Sequence, residues 1–165
     1  MINIFISHSS KDVEIINYIK DYFNKIDIEP IILDDVIEGL PPPQKILKNL
    51  KNCDIFLMVW TKNVYESEET KAILNHEISI AFALDLPIFA IIEKSVDKPR
   101  YFDNLTDYKR YNDFNDFKIQ LEKFRSTFEN LRDEIIRHKS LLELLKKRIS
   151  LPSLFKVKKR IIGGK

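Results

Sequence analysis

Glycine is scarce. The chain of 165 residues has three, and only Gly39 stands ahead of Gly163 and Gly164. A glycine-rich phosphate cradle, whether a dinucleotide fingerprint or a P-loop, therefore has no place in it. Cysteine is scarcer still, with Cys53 alone. That excludes a disulfide framework within one chain and a cysteine-based zinc site. The three histidines, His8, His76 and His138, share no ligand spacing, so no metal is expected. No run of 18 apolar residues occurs, so no transmembrane helix is expected. No charged leader, apolar stretch and cleavage site follow one another at the start, so the expectation is a cytoplasmic protein without a signal peptide. Acids are missing from the end. Lys146 to Lys165 holds eight bases and no acid, which leaves 19 bases against 25 acids before it. An acidic body with a basic tail hides behind a net charge of +2.

What the chain does have is apolar residues, 44% of the total, enough for one well-filled core. They come in short runs. Residues 1–7 (MINIFIS), 29–33 (EPIIL), 54–60 (DIFLMVW) and 86–92 (LPIFAII) read as buried strands, and Tyr108–Tyr111 as a short fifth. Between them lie helical patterns. Ser9 and Asp12 match a capping box ahead of Ile16, Ile19, Tyr22, Phe23 and Ile26. Residues 44–52 and 71–84 also have helical periodicity, whereas Asp34–Pro43 and Thr61–Thr70 read as loops. Near-continuous apolar strands alternating with helices predict an α/β fold: a doubly wound, flavodoxin-like, parallel five-stranded sheet. From Phe114 to Ile149 apolar residues recur at spacings of three and four, broken only by His138. That predicts one helix of about 36 residues, roughly 54 Å long, or a helical hairpin. The expected organisation is an α/β domain over 1–125, a helical extension over 126–150 suited to a coiled coil, and a basic, partly disordered tail over 151–165.

In such a sheet, ligands bind beyond the C-terminal strand ends, where strand order reverses. Ser7–Ser10, Asp34–Asp35 with the Gly39–Pro43 stretch, and Thr61–Asn63 are the polar segments delivered there. The sharpest single residue is Glu77. On a helical wheel it falls inside the arc of Ile73, Leu74, Ile78, Ile80, Ala81 and Leu84. A carboxylate on the apolar side of its helix is costly unless it is paired or faces a cleft. A structural ion pair is the competing explanation. Cys53 reads as a small buried residue, His76 as an exposed one, and His138 as a register-setting break in the heptads.

The stretch IFISHSSKD (Ile4–Asp12) resembles the opening strand and loop of the TIR (Toll/interleukin-1 receptor) domain family, microbial type. The Asp34–Pro43 loop resembles the family's BB loop, with Gly39 in the place of its glycine, and NCDIFLMVWT (Asn52–Thr61) its third strand. NHEISIA (Asn75–Ala81) resembles the helix carrying the family's catalytic glutamate. The resemblance covers residues 1–125 and implies cleavage of the nicotinamide–ribose bond of NAD. The products would be nicotinamide and ADP-ribose or a cyclic or conjugated form, in antiviral defence or signalling. NAD would be the substrate, with no cofactor.

By that resemblance Glu77 is catalytic, and Ser7, His8, Ser9, Asp34, Asp35, Gly39, Pro41, Thr61 and Ile73 line the substrate site. Ile73 stands where many catalytic members carry tryptophan, and Ser9 and Ser10 where some carry arginine. Tyr65 or Trp60 would substitute as the stacking ring, and Lys62 or Lys11 as the phosphate partner. The implied partners are another TIR domain and further copies of this chain, joined through the C-terminal helix and the Asp34–Pro43 loop. The basic tail adds nucleic acid or an anionic membrane as a weaker expectation. Two other readings stay open: a non-enzymatic assembly module, and a nucleoside deoxyribosyltransferase-like enzyme.

Overall fold

Residues 2–33, 42–99 and 105–149 are described by a computed structural model. Its strands are β1 (Ile2–Ser7), β2 (Ile28–Ile32), β3 (Ile55–Trp60), β4 (Ile88–Glu93) and β5 (Asp107–Tyr111). All neighbours run parallel, in the order β2-β1-β3-β4-β5. The sheet is the expected one, and the order reverses at β1, the place where sheets of this topology bind ligands beyond the C-terminal strand ends. Alternate residues feed two cores. Ile4, Ile6, Leu57, Val59, Phe89 and Ile91 pack with α1 (Val13–Asn24), α5 (Phe114–Glu122) and α6 (Arg125–Ile149). Phe5, Phe56, Met58, Trp60, Ala90 and Ile92 pack with α2 (Pro42–Leu50) and α4 (Glu68–Ala83). Two covered faces explain why the strands lack polar alternation; every residue of β3 is buried.

Several helix boundaries differ from those read in the sequence. The first helix starts at Val13, with Asp12 at its N-cap but making no side-chain cap bond. Its carboxylate accepts from Thr61 Oγ1 at 2.8 Å and Asn63 Nδ2 at 2.6 Å instead. The predicted loop over 61–70 contains a short helix, α3 (Lys62–Tyr65), capped by Thr61, and the start of α4, capped by Ser67. Pro42 and Pro43 open α2 rather than ending a loop, since proline's missing N–H costs nothing in a first turn. Left-handed backbone falls on Asp27 (φ 57°) and Asp85 (φ 56°), in the turns that leave α1 and α4. Aspartate tolerates that region better than most residues, which suits a chain so poor in glycine.

The predicted continuous helix from Phe114 is two helices. The break falls at Lys123 and Phe124, and Phe124 stays on the buried stripe. Beyond it α6 runs unbroken to Ile149, so among the described residues no hairpin forms. Phe128 is fully buried, and Leu131 and Ile135 pack against the same core. The packed body thus extends to about Ile135, past the boundary read at residue 125. Arg132 Nη1 donates to Ile26 O at 2.8 Å, and Lys139 Nζ meets Asp54 at 2.7 Å. From Ile136 to Lys146 every residue is exposed.

Candidate functional site

Glu77 and Ser7 meet at the reversal point. Ser7 ends β1 on the same sheet face as Phe5, beneath α4. The inward stripe of α4 is Leu74, Glu77, Ile78 and Ala81, at spacings of three, one and three that put them on one side of a helix. Glu77 is therefore one of four inward residues of α4, and it is only 6% exposed. The Ser7 hydroxyl donates to Glu77 Oε2 at 2.5 Å. The bond holds the carboxyl group of α4 against the C-terminal end of β1.

The other predicted residues take different places. His8 Nδ1 lies 3.1 Å from Ile6 O; a carbonyl only accepts, so Nδ1 is the donor in this contact. His8 lines a cavity of about 240 Å³ with Ser10, Asn17, Lys20, Ile32 and Leu33, at the C-terminal ends of β1 and β2 on the α1 side. Lys20 is thus a cation beside His8, where the sequence pointed to Lys11 and Lys62. Ser9 is buried in a turn, its Oγ accepting from Lys11 N and its carbonyl from Asp12 N. Thr61 is buried as the cap of α3 and a donor to Asp12. Ile73, expected on the inward arc of α4, is 40% exposed. Asp34, Asp35, Gly39 and Pro41 lie outside the described residues.

The two proposed stacking rings, Trp60 and Tyr65, line one cavity and both bond to Asp97. Trp60 is 2% exposed, and its indole N–H donates to Asp97 O at 3.0 Å. Tyr65 donates to Asp97 Oδ2 at 2.9 Å and carries Lys71 over its ring. Asp12, read in the sequence only as part of a capping box, ties the β1–α1 and β3–α3 loops together. Asp12 and Asn63 are 51 residues apart, and no local pattern reveals such a pair.

Cys53 is buried, and its thiol donates to Asn49 O at 3.3 Å. Burial, helped by the Asp54 charge, pushes the thiol pKa up to about 12, so little thiolate exists at neutral pH. Native protein should resist iodoacetamide at pH 8 and label fully in denaturant, read by mass spectrometry. Rapid native labelling would contradict this placement.

Residues 3–143 match a family model described as a domain of unknown function, DUF4062. No curated protein matches the chain. Among solved structures, the TIR domain of the Toll-related receptor TRR-2 from Hydra magnipapillata aligns at 18% identity with a TM-score of 0.58, over 78% of this chain and 97% of that one. A CMP N-glycosidase from Clostridium botulinum, BcmB, aligns at 16% identity with a TM-score of 0.52, over 73% of this chain and 98% of its own. At such identities the likeness is one of fold, the α/β architecture just described. By the match across its length, the chain belongs to the DUF4062 family.

Proposed function

We propose that this chain cleaves the N-glycosidic bond of NAD between nicotinamide and ribose, with Glu77 as the catalytic carboxylate. The observation that carries the reading is the buried Glu77–Ser7 pair at the strand-order reversal. As the bond breaks, its electron pair passes to the pyridinium nitrogen and nicotinamide leaves neutral. The ribose anomeric carbon becomes oxocarbenium-like, and a fixed carboxylate stabilises that charge in a water-poor site. Water then adds, and one proton is released with ADP-ribose; attack by another group of the same molecule gives a cyclic product instead. A pyridinium leaving group needs no protonation, so one carboxylate suffices where ordinary glycosidases use two. The fold is shared with a CMP N-glycosidase, which supports N-glycoside cleavage as a chemistry this scaffold can hold.

The test is incubation of the purified chain with NAD, with nicotinamide and the adenine-containing products separated by chromatography. Equimolar nicotinamide and ADP-ribose, or a cyclic isomer, is the expected result. CMP and deoxynucleosides run alongside. Release of base from these and not from NAD would replace the reading with the nucleoside-directed alternative. Binding is checked separately on Glu77→Gln, which leaves NAD intact. At about 100 times Kd the ligand should stabilise by about 2.7 kcal/mol, raising Tm by roughly 5–10 °C. An unchanged Tm at millimolar NAD would count against a substrate site.

A further inference from the structure

The outer half of α6 leaves the body with an unpartnered apolar arc. Leu141, Leu142, Leu144 and Leu145 are each 52–58% exposed. At about 100° per residue, Leu141, Leu145 and Leu142 span an arc of about 100°, with Leu144 roughly 60° to one side. Lys139, which touches the body through Asp54 at 2.7 Å, lies about 110° from the centre of that arc. By the same wheel Leu142 continues the inward stripe of Leu131 and Ile135, yet all four leucines are exposed, so the described part of the domain does not cover them.

Bases flank the run of Leu141, Leu145 and Leu142: Arg137 stands about 40° before Leu141, between it and Leu144, and Lys146 about 40° past Leu142, while His138 lies within the run and Glu143 on the far side. From Arg137 to Lys165 the sequence has ten bases and one acid, Glu143. Two copies packed along this arc, parallel or antiparallel, would set base against base on both edges, where coiled coils place their pairing charges. The same edges argue against nucleic acid, whose interfaces are polar and would bury the central leucines to no gain. Exposed leucines flanked by cations are the pattern of a helix lying in a lipid headgroup layer. There leucines enter the acyl boundary, and Arg and Lys stems reach back to phosphate.

We infer that the outer half of α6 docks the protein on an anionic lipid surface. No described helix is long and apolar enough to cross a membrane, so the contact is peripheral. It does not rest on Glu77.

The test is co-sedimentation of the full chain with vesicles of phosphatidylcholine alone or with about one-third phosphatidylserine. Binding to the anionic vesicles only, released as salt rises from about 0.15 to 0.5 M, is expected. Leu141→Glu/Leu145→Glu and, separately, Arg137→Glu/Lys146→Glu should each weaken partition by about tenfold or more. Circular dichroism should stay unchanged, since all four positions are exposed. Glu77→Gln should bind vesicles as the natural chain does, which separates this contact from the glycohydrolase reading. Wild-type protein left in the supernatant with both vesicles overturns the inference. So does partition indifferent to the leucine changes, or a dimer at sedimentation equilibrium that Leu141→Glu/Leu145→Glu dissolves.

Discussion

Glu77→Gln should lower the rate of nicotinamide release by about 10³-fold, the scale of losing one preorganised electrostatic group facing a developing charge. Glutamine keeps the shape and can still accept from Ser7 Oγ, now 2.5 Å from Oε2, so the fold should stand. Glu77→Ala is the weaker variant, because it strands a buried hydroxyl at a cost of about 1–3 kcal/mol. Ser7→Ala tests the pair from the other side. A hydrogen bond to a charged group is worth about 1.5–3 kcal/mol. If the serine holds the carboxylate in its reactive pose, kcat should fall about tenfold or more while KM changes little. A purely structural bond would show instead as lost Tm with kcat intact. Turnover undiminished in Glu77→Gln would remove the carboxylate from the chemistry and leave this end of the sheet as a binding site at most.

The residues that were legible in the sequence are those whose surroundings are local or continuous. β3 could be read because every one of its residues is buried, so its run needs no partner to be recognised. Glu77 could be read because helix geometry alone places it near Leu74, Ile78 and Ala81. The same wheel misplaced Ile73, since it treats every apolar residue as inward while the packing of α4 centres on a narrower stripe. The helix break at Lys123 was illegible for a related reason. Leu121, Phe124 and Phe128 keep the three-and-four spacing across it, with neither glycine nor proline at the step. α3 escaped notice because four residues are too few to show a period, and its anchors are Asp12 and Glu93, far away in sequence.

Phe128→Ala should be the most damaging substitution in α6. The ring is fully buried, 5.1 Å from Phe23, 4.9 Å from Phe89 and 5.5 Å from Phe124, centroid to centroid. It joins α1, β4 and the break before α6 in one aromatic cluster. Truncating such a side chain costs about 3–5 kcal/mol, transfer and cavity together, against a total stability of about 5–15 kcal/mol. At this chain length that lowers Tm by roughly 6–20 °C, measurable by calorimetry or urea denaturation with unchanged m. Leu145→Ala, seventeen positions on or nearly five turns later, should change stability by no more than about 0.5 kcal/mol, as exposed positions do. The contrast divides α6 physically: its first turns are core of the α/β domain, and its last turns hang free of it. Equal, small losses at the two positions would mean that the helix is independent of the sheet throughout. Equal, large losses would mean that the outer leucines are already covered in solution, and the vesicle result would then have to be read against that cover.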